Sequence, residues 1–215
     1  DMSEDKSKKK WFATGYGVSS FDGTAWKNHY FKLTRDDIGP SGDLDNWNLN
    51  VNWISNIAVD HDNTVWAVSM GGDVVMSYNG QSWRYYTHFL DESFLSVFTA
   101  KPSLLVDKNN VKWIAGRGVI SYDGNKWTSY KRREINCVSG AVDNDNVKWF
   151  GTRDDGVWSF DDSVWKHYDS SNSPLTREHL IMVAVGGNNI KWFAETTGMI
   201  HRFDGSTWKS FSPEV

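Results

Sequence analysis

Cysteine is nearly absent from these 215 residues: Cys137 is the only one. A single sulfur excludes an intrachain disulfide and any thiolate zinc cluster, since both need several sulfurs at defined spacing. It leaves the compartment open, because secreted proteins with large cores can do without disulfides. Cys137 is expected in a strand as a small apolar residue. Long hydrophobic runs are missing too. Nothing approaches the ~20 apolar residues of a membrane helix, so no membrane insertion is expected. Charge of one sign is scarce: the net value is −4, and the 23 Lys and Arg are dispersed apart from Lys8–Lys10 and Lys131–Arg133. No strong polyanion-binding field follows, and nucleic acid is not an expected partner. Asp1 to Lys10 is polar and lacks an apolar signal core.

Motifs of chemistry are equally sparse. His29, His61, His88, His167, His179 and His201 form no metal-spaced pair. There is no Gly-x-Ser-x-Gly elbow and no phosphate-binding glycine loop opening a helix. The chain is therefore expected not to be an enzyme, and no cofactor or metal is assigned.

What the chain has in excess is aromatic residues, 15% of the total, including 13 Trp. Most of them recur. Ala58-Val59-Asp60 precedes Trp66, Leu105-Val106-Asp107 precedes Trp113, and Ala141-Val142-Asp143 precedes Trp149, with an Asp-to-Trp offset of six each time. Asp5 stands six before Trp11 and Gly186 six before Trp192, giving five units, the last without its Asp. Downstream come an aromatic, a turn dipeptide and a second Trp: Phe21-Asp22-Gly23 with Trp26, Tyr78-Asn79-Gly80 with Trp83, Tyr122-Asp123-Gly124 with Trp127, Phe160-Asp161-Asp162 with Trp165, Phe203-Asp204-Gly205 with Trp208. Ten of the thirteen Trp thus occupy two repeat positions, so the Trp excess is mainly structural.

Asp-Gly or Asn-Gly between apolar residues signals a hairpin, here expected as a type I′ turn with positive φ at both central residues. The Asn-rich stretches Asp60–Thr64, Asp107–Asn110 and Asp143–Asn146 make a second turn, and Gly-containing stretches such as Met70–Asp73 a third. Three turns separate four short strands. The first Trp of successive units are 55, 47, 36 and 43 residues apart, close to the ~40 to 50 residues of a propeller blade. The expected fold is all-β: a β-propeller of about five four-stranded blades, approximately 5–30, 57–86, 104–130, 139–168 and 182–211, in a single domain over 1–215. The first unit starts at its Asp turn, so its blade is expected to lack the innermost strand. Closure into a five-bladed ring would remove exposed sheet edges.

With Trp149-Phe150-Gly151-Thr152 and Trp11-Phe12-Ala13-Thr14 set in this frame, a Gly turn and Phe-Asp-Gly-x-x-Trp following, the chain resembles the two-component regulator propeller repeat. Ser171-Asn172-Ser173-Pro174-Leu175, leading to Ile181-Met182-Val183-Ala184-Val185, resembles that family's connector and innermost strand. The resemblance implies a bacterial extracytoplasmic propeller, periplasmic or extracellular, often the ligand-sensing part of a hybrid sensor kinase.

In such a blade the second-to-third-strand turns and the blade-to-blade connectors open on one face. The connectors, roughly 28–56, 87–103, 131–136 and 169–180, differ widely in length, and variable loops on a rigid scaffold are where binding specificity tends to sit. The longest contains Trp47 and Trp53, outside both repeat positions, with Trp47 beside Asp45, Asn46 and Asn48. Such aromatics suit a sugar face, with nearby carboxylates and amides bonding hydroxyls. On the same face the Gly turns carry Tyr16, Asp73, Arg117, Arg153, Asp154, Asp155 and Met199, and Arg117, Arg153, Arg132 and Arg133 could converge on an anion. Asp60-His61-Asp62-Asn63 and Asp143-Asn144-Asp145-Asn146 partly resemble calcium loops, but Asx turns explain the same residues. The leading expectation is a non-catalytic binding or sensory propeller recognising a small-molecule or glycan ligand through Trp47, Trp53, Tyr16, Asp73, Arg117, Arg153 and Asp154. The alternative is a protein–protein interaction propeller using the apolar connector of Phe89, Leu90, Phe94, Leu95 and Phe98. A polysaccharide hydrolase, the third reading, would need two carboxylates ~5 to 9.5 Å apart from among Asp73, Asp154 and Asp155.

Overall fold

The computed structural model describes residues 1–32, 51–70, 74–86, 101–176 and 180–213, with the backbone alone over 131–134. These residues form strands and one short 3-10 turn. The first blade contains β1 (Met2–Glu4), β2 (Lys10–Thr14), β3 (Gly17–Phe21) and β4 (Trp26–His29); the second, β5 (Ile54–Val59), β6 (Val65–Ser69), β7 (Val75–Tyr78) and β8 (Trp83–Tyr86). Next come β9 (Ser103–Val106), β10 (Lys112–Tyr122), β11 (Trp127–Val142), β12 (Lys148–Thr152), β13 (Val157–Phe160) and β14 (Trp165–Tyr168). The fifth blade has β15 (Leu180–Val185), β16 (Lys191–Glu195), β17 (Ile200–Phe203) and β18 (Trp208–Phe211). Each sheet is an antiparallel meander in chain order.

Three local expectations need correction. The first blade does have its innermost strand: Met2, Ser3 and Glu4 pair with Phe12, Trp11 and Lys10. It escaped notice because Met2 and Glu4 face outward from the blade row while the polar Ser3 faces the second blade, donating no apolar alternation. The segment 131–136 is not a loop, since β11 runs unbroken as the outer strand of the third blade and the inner strand of the fourth, joining them into one six-stranded sheet. The Asp-Gly hairpins are not type I′ either. Phe21 pairs with Trp26, leaving a four-residue loop in which Gly23 takes positive φ and Asp22 does not. Asp22 Oδ1 instead accepts the N–H groups of Thr24 and Ala25 at 2.9 Å. Loops of this length are built around tighter, unprimed turns.

The constant offset of six has a physical cause. Asp60 Oδ1 accepts the N–H groups of Asp62 and Thr64, while Oδ2 accepts the Trp66 indole N–H at 2.8 Å. The same bond joins Asp5 to Trp11 (2.9 Å), Asp107 to Trp113 (2.9 Å) and Asp143 to Trp149 (3.0 Å). One carboxylate closes the turn and fixes the ring that enters the next interface.

Among the described residues the core is four clusters, each between adjacent blades. Trp11, Trp66, Trp113 and Trp149, all 2–4% exposed, point from one blade to the next. They meet the next blade's paired positions, such as Phe193, Phe203 and Trp208 against Trp149. Three seams add a lysine: Lys112, Lys148 and Lys191 reach back to Asp60, Asp107 and Asp143 at 3.3, 3.7 and 3.1 Å. Each ammonium also lies 4.8–5.3 Å from the centre of the Trp ring in that preceding blade, a cation–π geometry. In all four seams a turn N–H donates to an asparagine Oδ1 of the next blade: Lys6 to Asn63, His61 to Asn110, Lys108 to Asn146 and Asn144 to Asn189.

Among the described residues the fifth seam, which a closed ring would need, is not made. On the first blade Trp26 is 63% exposed, although its counterparts Trp83, Trp127, Trp165 and Trp208 are all partly covered. The outer face of the fifth blade exposes Met182, Ile200 and Phe211.

Candidate functional site

Every innermost strand runs from its connector towards its Asp turn, so the connectors gather with the second-to-third-strand turns at one end. Hydrogen bonds tie them there. Gly17 N donates to Asn52 O, Met70 N to Trp53 O, and Arg153 N to Asn136 O. At this end the innermost strands surround the mouth of a cavity of about 420 Å³, lined in part by Asn56, Lys101, Ser103, Ser139 and Met182.

The first connector has a fixed neck. The Asn52 side chain accepts from Phe31 N at 2.7 Å and donates to Phe31 O at 2.9 Å, bringing the two ends of the segment together. Phe31 is buried edge-on against Trp83, 4.7 Å between centres. Gly17 adopts φ +103°, and a Cβ there would stand 2.2 Å from His29 O, so only glycine permits this approach. On this anchored neck Tyr16 is 82%, Tyr30 70% and Trp53 49% exposed. Sequence reasoning singles out Tyr16 and Trp53, whose chain neighbours Gly17 and Asn52 are joined by a backbone hydrogen bond; it misses Tyr30, whose type matches no repeat feature. Trp47 and Asp73 lie outside the described residues, as do the Arg132 and Arg133 side chains and the apolar connector of Phe89 to Phe98.

A second group forms where the third and fourth blades join. Arg117 is the ladder partner of Asn136, whose carbonyl accepts the Arg153 N–H at 2.9 Å. Arg117 and Arg153 therefore flank one residue, with Asp154 beside them, all exposed. Asp155 belongs elsewhere: its Oδ2 accepts the Trp158 indole N–H at 3.0 Å. Trp158 stacks on His167 at 4.2 Å and 10°, and the His167 Nε2 lies 2.7 Å from Asp155 O. Trp158 was overlooked, yet it stands where other blades have Ser19, Met76 and His201, and that departure was the available signal. Met199 sits in the fifth blade's turn, its N–H on Thr197 Oγ1.

Beneath that turn Glu195 is buried and receives both the N–H and the hydroxyl of Thr176, at 2.8 and 2.7 Å. His201 lies 3.5 Å from Glu195 and 2.9 Å from Ser210 Oγ. The series has the members of a nucleophile triad, but His201 and Ser210 are directly opposed on neighbouring strands, and the same position holds a contacting pair in other blades, Ser19 with Asn28 and Trp158 with His167. It is a feature of strand pairing. The carboxylates of the calcium-like loops are also engaged: Asp62 accepts from Asn110 and Asp145 from Asn189, each at 2.7 Å.

No protein-family model matches the sequence, and no curated protein is detectably similar. Solved structures are similar. Selenomethionine-substituted virginiamycin B lyase from Staphylococcus aureus matches 100% of this chain and 69% of its own at TM-score 0.75 and 13% identity. The extracellular domain of BT4673, a proposed one component system from B. thetaiotaomicron, matches 94% of this chain and 27% of its own at TM-score 0.68 and 17% identity. YCF48 bound to D1 peptide matches 99% and 66% at TM-score 0.67 and 13% identity. At these identities the likeness establishes architecture alone, and together with the sheets and seams described above it makes this chain an all-β protein of the β-propeller fold.

Proposed function

We propose that this chain is a non-catalytic recognition propeller of an extracytoplasmic protein, and that its connector face binds an extended polypeptide carrying acidic residues. The observation that carries the reading is the exposed set Tyr16, Tyr30 and Trp53 on a neck fixed by Asn52. Tyr, Trp and Arg are the residue types enriched at binding hot spots. Aromatics held on rigid backbone lose little conformational entropy on binding. Arg117 and Arg153, flanking Asn136, supply forked donors for carboxylates. Lys101 adds a third cation at the cavity mouth. The extracytoplasmic assignment and a sensory role rest on the repeat resemblance, with the extracellular domain of BT4673 as a structural parallel.

Carbohydrate is the second reading, favoured by the exposed rings of Tyr16 and Trp53 on the same neck. The test presents the purified chain to a peptide library and a glycan array in parallel. Selective retention of acidic, extended peptides supports the proposal. Retention of glycans alone transfers the site to the second reading, and retention of neither removes the connector face as a binding surface.

A further inference from the structure

The two ends of the blade row each carry half of the seam that is formed four times inside it. On the first blade the outward positions of the paired strands are Met2, Phe12, Lys10, Phe21 and Trp26. They correspond to Val183, Phe193, Lys191, Phe203 and Trp208, which seal the fourth blade against the fifth. Met2 is 55% exposed, whereas its counterparts Ile57, Leu104 and Val183 are buried. Lys10 occupies the position of Lys112, Lys148 and Lys191, yet it is exposed and makes no ion pair among the described residues.

The fifth blade offers the other half without its acid. Trp192 corresponds to Trp149, and Met182, Ala194, Ile200 and Phe211 continue an apolar face around it. The position of the seam aspartate is Gly186, and a Cβ built there would lie 3.2 Å from Trp192 Nε1. All four formed seams have aspartate in the preceding blade. Closing the row on itself, or docking a second copy head to tail, would bury Lys10 opposite a glycine. An ammonium buried without a counter-charge is strongly unfavourable.

We infer that the outward face of the first blade is a docking surface for a further β-blade, outside these 215 residues, that presents an aspartate six residues before a tryptophan. That aspartate would pair with Lys10 while its tryptophan packs against Phe12, Phe21 and Trp26. Continuity with the four internal seams and the charge of Lys10 identify the occupant, and Gly186 excludes a second copy.

The test restores the missing acid. Gly186→Asp makes the fifth blade a blade of the required kind, so wild type and variant are compared by sedimentation velocity over a concentration series. The variant is expected to associate head to tail at a concentration about ten-fold or more below wild type, the scale of a buried charge-assisted pair. Adding Lys10→Gln to Gly186→Asp should return it to the wild-type value. Circular dichroism of both variants establishes that they are folded, and Gly186→Glu serves as the alternative acid should Asp perturb the turn. Equal association of wild type and both acid variants would overturn the inference. So would wild-type association that Trp26→Lys abolishes, because the occupant would then be a second copy.

Discussion

Lys191 Nζ lies 3.1 Å from Asp143 Oδ2 across the seam between the fourth and fifth blades, with its ammonium 5.3 Å from the Trp149 ring centre. Asp143 also holds the Trp149 indole N–H, so one buried carboxylate serves a turn, a ring and a neighbouring blade. Replacing it by alanine leaves Lys191 and the indole without this partner. Asp143→Ala is expected to lower unfolding free energy by about 3–5 kcal/mol. In urea titrations the double variant Asp143→Ala with Lys191→Met should be less destabilised than the sum of the single changes, with a coupling of roughly 1 kcal/mol or more.

The same carboxylate predicts the acid limit of stability. Burial alone would raise the Asp143 pKa, but bonds from Trp149, the N–H groups of Val147 and Asp145, and Lys191 outweigh it and hold the group below 3.8. Asp5 is held low in the same way, burial being outweighed by Ser7, Trp11 and Lys9. A carboxyl whose folded pKa is depressed contributes stability in full above its unfolded value. That contribution is lost as pH falls through about 4 towards the folded value. Unfolding free energy should therefore drop below about pH 4, and less steeply in Asp143→Asn; an unchanged slope would contradict the assignment.

Cys137 reports on the integrity of the joined third and fourth blades. It is fully buried in β11, and burial pushes its thiol up to about 12, a backbone hydrogen bond with Ser139 offsetting only part of that. The thiolate is the reactive form. A thiol reagent at pH 8 should label the native chain no faster than it unfolds and the urea-denatured chain at once. Rapid native labelling would show the blade junction open.

Glycine is required where the connector face is drawn tight. Gly156 has φ +64°, and a Cβ there would stand 2.2 Å from Tyr168 O, the counterpart of Gly17 against His29 O. Gly156→Ala should cost ~1–3 kcal/mol, read from the urea midpoint, because it combines positive-φ strain with a backbone collision. Gly187→Ala, where nothing lies within 4 Å of the added carbon, should cost less.

Most of the architecture was legible because the repeat is written in residues with single structural uses. Asp at a turn and Trp six later are locked by one hydrogen bond, so their spacing cannot drift even when connectors do. What escaped notice lacked that constraint. β1 is too short and polar to display alternation, and only its backbone pairing with β2 defines it. The continuity of β11 depends on long-range pairing with β10 and β12, which no local signal in 131–136 encodes. At the site, Tyr16 and Trp53 could be placed on one face from loop order. That the Asn52 side chain binds Phe31 while its carbonyl accepts the Gly17 N–H, fixing the neck that carries both, is a tertiary fact.

The central claim, recognition of a polypeptide by the connector face, is tested most directly by calorimetric titration of a retained acidic peptide into wild type, Tyr16→Ala/Trp53→Ala and Arg117→Ala/Arg153→Ala. Each double variant is expected to keep its urea midpoint and lose roughly 2 kcal/mol or more of binding, a Kd about 30-fold weaker. Wild-type affinity in both folded variants would contradict the claim.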